Sequence, residues 1–303
     1  MDSTARHHET RGLWLGLLGV VIFAMTLPMT RLAVGPAADP QLPPLFVTAG
    51  RAGFAGLLSV IYLWVTGAPR VQRRHVPALL TSALGTVVGF PLFLSLALRE
   101  VDAMHAAVVT GLMPLATAIG AALVFRQRPS NGFWACAVLG CAMVLCVAAY
   151  QGSGRLSAAD GLLLVAVFFT AVGYVAGARV ATELPAEQVI CWVLVLSLPL
   201  TLPLTLALWP TQPVRVSAWG GFTYVTLFSM WLGFFAWYRG LALGGTVRVS
   251  QVQLVQPFLA LLFAVPVLGE HLEPTTVLFS LAVIAVVFVS KKMPTQSLKP
   301  LKT

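Results

Sequence analysis

Stretches of about 18 to 25 residues almost free of charge recur along the chain, separated by short polar segments that hold most of the Lys, Arg, Asp and Glu. At 1.5 Å of rise per residue, one such stretch crosses roughly 30 Å of hydrocarbon as a helix. Runs such as Ala103 to Phe125 are continuously apolar, whereas strands of a membrane β-barrel alternate polarity over about ten residues. The pattern therefore predicts an all-α integral membrane protein. Ten spans are expected, at Gly12 to Val34, Leu45 to Thr66, Val76 to Leu98, Ala103 to Phe125, Gly132 to Ala149, Gly161 to Val180, Gln188 to Leu208, Trp219 to Tyr238, Gly244 to Leu268 and Thr275 to Val289. The polar, Gly/Ser-rich stretch 150–159 divides them into five-helix halves, 12–149 and 160–290, with short tails at 1–11 and 291–303.

Composition strengthens this reading. Of 303 residues, 58% are hydrophobic and only 10% charged, and mean hydropathy is +0.88; a soluble domain could not hide that much apolar surface. The first apolar run is too long for a signal-peptide core and is expected to persist as a helix. The net charge of +9 forms no long basic tract or nucleic-acid motif, so topology explains it better than nucleic acid does. With the N-terminus inside, the inner segments receive most of the cations, Arg70, Arg73, Arg74, Arg126, Arg128, Arg239, Lys291 and Lys292 among them. The outer ones receive Arg31, Arg99, Arg155 and Arg215, and Arg51 lies within a span. Both termini are thus expected in the cytoplasm of a bacterial inner membrane. Cys136, Cys141, Cys146 and Cys191 lie inside predicted spans without pairing or metal-ligand spacing. No cofactor or metal is implied, and a monomer acting on a small solute within the lipid bilayer is expected.

The halves also align with each other. A shift of 143 positions sets Leu98 on Leu241, Pro114 on Pro257, Ala121 on Ala264, Val124 on Val267 and Val144 on Val287. The basic Arg126-Gln127-Arg128 falls on Gly269-Glu270-His271, as expected if five helices per half put matched loops on opposite sides. A shift near 148 brings Arg31 onto Arg179 and Thr26 onto Tyr174. An inverted repeat is therefore expected. The paired stretches Ala97-Leu98 through Pro114 to Phe125 and Gly240-Leu241 through Pro257 to Gly269-Glu270 resemble the drug/metabolite transporter superfamily, in its ten-helix form with two EamA-type halves. Within it the chain looks most like YddG-type exporters of aromatic and other neutral amino acids. The resemblance implies a basket of helices one, three, four, six, eight and nine around a central cavity, with the fifth and tenth outside.

Polar side chains facing lipid are costly, so polar stripes point to a wet interior. Ser250, Gln253 and Gln256 share one face of the ninth span just before Pro257, and the repeat sets Ala107, Thr110 and Met113-Pro114 against them. Phe23 and Thr26 share a stripe on the first span, and Tyr174 lies on one on the sixth; Phe90-Pro91 and the pair Trp231 and Phe235 add aromatic character from the third and eighth. The hydroxyls could equally bond their own backbone, and the aromatics could simply pack. Pro91, Pro114 and Pro257 are read as hinges or as kinks that shape the cavity. Asp and Glu fall at span ends or in loops, which argues against a pump for cationic drugs. His105 reads as an interfacial hydrogen-bonded side chain, with proton relay the alternative. Arg51 is expected to snorkel outward or meet a helix C-terminus, with a substrate carboxylate as the further option.

A carrier of neutral metabolites, most of all amino acids, working by alternating access without a dedicated ion site, accounts for these features. An antiporter of phosphorylated metabolites, or proton-coupled efflux, is the alternative. Enzyme chemistry finds no Ser/His pair, paired intramembrane Asp or ligand cluster to stand on.

Overall fold

The computed structural model describes residues 3–124, 127–151, 157–181, 183–244, 252, 255–292 and 295–297. Helices account for nearly all of them. We label the stretches α1 (Ser3–Ala24 continuing as Thr26–Val34), α2 (Pro44–Val65), α3 (Arg73–Glu100), α4 (Ala103–Thr110 and Met113–Val124), α5 (Asn131–Gln151), α6 (Ala158–Ala181), α7 (Ala186–Ala207), α8 (216–244), α9 (Gln256–Leu268) and α10 (Pro274–Lys292). Among the described residues, α2, α3, α6, α7 and the Thr10–Val34 part of α1 are long and apolar enough to cross a membrane, and α4, α5, α9 and α10 carry shorter apolar runs.

Local chemistry fixes where the helices start and stop. Proline opens α2 at Pro44, α9 at Pro257 and α10 at Pro274, in the first turn, where the missing N–H has no partner to lose. Gly35 and Gly269 terminate α1 and α9 with φ of 68° and 70°, a backbone region that side-chain-bearing residues rarely adopt. Within α1, Pro28 cannot donate to the Ala24 carbonyl, and the helix breaks at Met25 one residue beyond it.

α1 runs along α8, α2 along α7, α6 against both α3 and α4, and α5 against α10. Two of these pairings depend on glycine. A Cβ on Gly85 of α3 would lie 2.5 Å from the Gly173 Cα of α6, and one on Gly240 of α8 would lie 2.6 Å from the Gly16 nitrogen of α1. Two apolar cores result. One gathers Leu42, Phe46, Leu98, Ala107 and Phe222, and the other Leu79, Val180, Ile190, Leu194 and Trp237. The outside remains apolar, with Trp64 82% and Leu123 69% exposed, which suits lipid rather than water.

α3 and α8 share an irregularity. Each contains a π-helical segment, Ala83–Gly89 in α3 and Val225–Leu232 in α8, a displacement close to the 143-residue shift that aligns the halves. Such segments insert extra residues per turn and rotate the downstream part of the helix about its axis.

Several boundaries differ from the expectation. α8 runs on to Gly244, so the residue read as the start of the ninth span instead closes the eighth, and helix is described again only from Gln256. The N-terminal tail is already helical from Ser3. Residues Gln127–Pro129, expected as a loop, pair antiparallel with Thr295–Ser297, which brings the segment after α4 and the segment after α10 to one face.

Candidate functional site

A cavity of about 40 Å³ lies where α1, α2, α3, α4, α6, α8 and α9 converge. Its polar centre is built from three helices. Thr26, just past the break in α1, places its hydroxyl 2.8 Å from that of Ser229, which the π segment of α8 turns inward. Arg51 of α2 reaches the same point and donates from Nη2 to the Ser229 oxygen at 3.0 Å. Its side chain is only 2% exposed, and Nε and Nη1 are buried without acceptors. Thr86 and Thr170 line the wall, but their hydroxyls donate to the carbonyls one turn back, Ser82 at 2.8 Å and Ala166 at 2.9 Å. Gln256, in the first turn of α9, is buried with its Oε1 lacking a donor. Tyr174, Phe90, Phe23 and Phe234 supply aromatic surface, the last two packed edge to face at 5.0 Å. Among the described lining residues there is no Asp or Glu.

Phe23, Thr26, Phe90, Tyr174 and Gln256 are thus brought together. Thr110 is buried outside this lining and bonds the Ala106 carbonyl at 2.7 Å. Trp231 and Phe235 face α2 instead, where Phe235 meets the Tyr62 ring at 4.9 Å and Trp231 at 6.3 Å. Trp231 and Phe235 share one i, i+4 stripe of α8, but the stripe beside it, Met230 and Phe234 with Ser229, is the one turned to the cavity. Ser250 and Gln253 lie outside the described residues. Pro114 and Pro257 each stand in the first turn of a helix, and Pro91 comes two residues after the end of the π segment of α3. In α4 the helix breaks at Gly111 and Leu112, next to the Thr110 carbonyl that Pro114 cannot bond.

Arg51 neither snorkels nor meets a helix end, as the sequence suggests it should; it points into the protein. α2, which the family resemblance does not name among the helices of the basket, therefore contributes the cation of the described lining. An Arg within a span was the available signal. Ser229 and Thr86, single hydroxyls in apolar runs, gave none.

The faces on either side of the cavity carry ionic clusters. On one, the Glu270 carboxylate accepts the backbone N–H groups of Ala103 and Met104 at 2.8 and 2.9 Å, capping α4. Burial pushes this carboxyl above its ordinary range, against the pull of those two bonds. Arg31 donates to the Leu98 carbonyl and sits 3.3 Å from Asp102, and Arg215 pairs with Asp39. A polar vestibule of about 280 Å³ opens among these residues. Nearby, His105 bonds Asp160 at 2.6 Å. On the opposite face Glu183 contacts His75 at 3.0 Å and Arg74 at 2.8 Å, and is held below the usual carboxylate range, first by the His75 bond and then by Arg74. A larger cavity, about 890 Å³ between α3, α4 and α6, is lined mainly by apolar residues such as Leu115, Ile119 and Phe168, and its polar residues, Arg74, His75 and Glu183 among them, include the ion cluster on that face. The small cavity, where buried polar groups from several helices converge at the centre of the molecule, is the better candidate for recognition. Among the described residues no three His, Cys, Asp or Glu side chains gather as a metal-ligand set.

Residues 10–149 and 157–291 each match the EamA-like transporter family. The chain belongs to that family. It is 40% identical over 288 residues to the uncharacterized transporter YdeK of Bacillus subtilis (strain 168), covering 94% of this chain and 99% of that one. A solved crystal structure aligns with a TM-score of 0.65 over 93% of this chain and 95% of its own, at 18% identity, which speaks for the shared fold alone. With its apolar helices, the chain is a multi-pass membrane protein of a transporter family.

Proposed function

We propose that the protein is a monomeric carrier of small neutral metabolites, chiefly amino acids including aromatic ones, acting by alternating access without a dedicated ion site. The lining of the central cavity carries this reading: hydroxyls, an amide, aromatic rings and one guanidinium, with no acidic side chain among its described residues. A cationic drug or a coupled proton would call for a carboxylate there. A phosphorylated metabolite brings nearly two negative charges, against the one cation in the described lining. The aromatic walls are the reason to favour YddG-type aromatic substrates.

In this reading the ten helical stretches are ten spans in two inverted halves, 12–149 and 160–290 joined by 150–159, and both termini face the cytoplasm of a bacterial inner membrane. The paired π segments of α3 and α8 and the helix-opening Pro114 and Pro257 support the repeat. The excess of Lys and Arg in one set of loops supports the orientation. The cavity then lies between an outer lock around Glu270 and an inner one around Glu183.

Purified protein in liposomes tests the proposal through uptake of neutral amino acids, cationic drugs and phosphorylated sugars, with and without a pH gradient. Saturable, gradient-independent flux of neutral amino acids is expected. Flux of phosphorylated solutes alone, or flux that requires the gradient, would overturn it.

A further inference from the structure

We infer that Arg51 is the anchor for a carboxylate of the transported solute, so that one carboxylate is the group every good substrate must carry. The inference rests on the carrier reading above and adds to it the recognition chemistry. A guanidinium holds five N–H donors in a planar fork. Among the described residues the hydrogen bond of Arg51 runs from Nη2 to Ser229, a neutral oxygen, while Nε and Nη1 are buried with no acceptor there. Among the described residues no carboxylate pairs with it.

A buried, unpaired cation is expensive, and natural structures nearly always supply its counter-charge. Here the empty donors belong to a residue that lines the central cavity, so the charge that completes the site is one that enters the cavity. One guanidinium matches one carboxylate in charge and in shape. The same cavity holds a second unfilled group of opposite character, the Gln256 Oε1, a buried acceptor without a donor. An α-amino acid carries a partner for each, its carboxylate for Arg51 and an ammonium N–H for Gln256; the cavity of about 40 Å³ is the contracted form of the site, and the solute enters as the helices carrying Phe23, Phe90 and Phe234 move apart around it. Ser229 and Thr26 orient the guanidinium and are positioning residues.

The experiment uses the full-length protein in liposomes and four probes that share a phenyl ring: phenylalanine, 3-phenylpropanoate, phenylalaninamide and phenethylamine. Phenylalanine uptake is measured directly and the other three as competitors. Phenylpropanoate is expected to compete, and the amide and the amine at least about tenfold more weakly. Arg51→Gln should abolish phenylalanine flux, and Arg51→Lys should retain a part of it, since an ammonium keeps the charge but not the fork. Melting of the detergent-solubilised variants is measured alongside. Because Arg51 has no counter-ion among the described residues, Arg51→Gln should melt at or above the wild-type temperature. Equal competition by the acid, the amide and the amine would overturn the anchor while leaving the carrier intact. A lowered melting temperature in Arg51→Gln with its acid preference unchanged would make Arg51 a structural residue. Absence of flux for every solute, phosphorylated ones included, would instead remove the carrier reading itself, and the anchor with it.

Discussion

The hydroxyls of Thr26 and Ser229, far apart in the chain and on different helices, meet at 2.8 Å at the polar centre of the molecule, where Ser229 also accepts from Arg51. Removing either hydroxyl should loosen the guanidinium, but not equally. Ser229→Ala deletes the acceptor of the one hydrogen bond Arg51 makes, whereas Thr26→Ala deletes only its neighbour. Transport should fall by roughly tenfold or more in the first and by less in the second, which corresponds to a hydrogen bond to a charged group against one between neutral groups. Initial uptake rates of the two variants, normalised to reconstituted protein, check this order.

Gln256 and Trp231 separate cavity from packing. Gln256→Leu should impair transport with little change in melting temperature, because its Oε1 has no partner among the described residues. Trp231→Leu should lower the melting temperature and leave substrate preference unchanged, since Trp231 packs on Tyr62 and Phe235 away from the cavity. A shift in substrate preference in Trp231→Leu would place that ring in the binding site after all.

Glu270 holds two otherwise orphaned N–H groups at the start of α4. Glu270→Ala should destabilise the protein by about 1–3 kcal/mol, the cost of leaving buried donors unmet. Glu270→Gln keeps an acceptor oxygen and should lose less. Thermal melts of both in the same detergent give the comparison.

At the opposite face Glu183 sits below its ordinary pKa because it bonds His75 and faces Arg74. A depressed carboxyl stabilises the folded state at pH above its unfolded pKa and stops doing so as pH falls through the folded value. The melting-temperature gap between wild type and Glu183→Gln should therefore be present at neutral pH and close only below the ordinary value of 4.5. A gap that closes above that value, with the carboxyl still ionised in the unfolded chain, would contradict the assigned sign.

Gly85 and Gly173 let α3 and α6 touch backbone to backbone. Gly85→Ala forces a methyl to within 2.5 Å of the Gly173 Cα, so the helices must separate. Overpacking of this kind costs about 1–3 kcal/mol, and Gly161→Ala, with open space around it, is the control that should melt like wild type.

Much of this protein is determined by its sequence alone. The lengths of the apolar runs made it helical and membrane-embedded, because a bilayer admits only segments that satisfy their own backbone hydrogen bonds. The same reasoning put Phe23, Thr26, Phe90, Tyr174 and Gln256 on polar or aromatic stripes, and all five line one cavity. The tertiary structure decided what a regular period cannot carry. A stripe drawn at 3.6 residues per turn groups Trp231 with Phe235 and Met230 with Phe234 but does not say which pair faces inward; packing puts the first pair on Tyr62 of α2 and the second, with Ser229, at the cavity. Arg51 was visible as a charge in a span, yet its direction depended on whether another helix offered it a polar partner. Ser229, on a helix distant in sequence, does so, and a local pattern holds no information about contacts made across the fold.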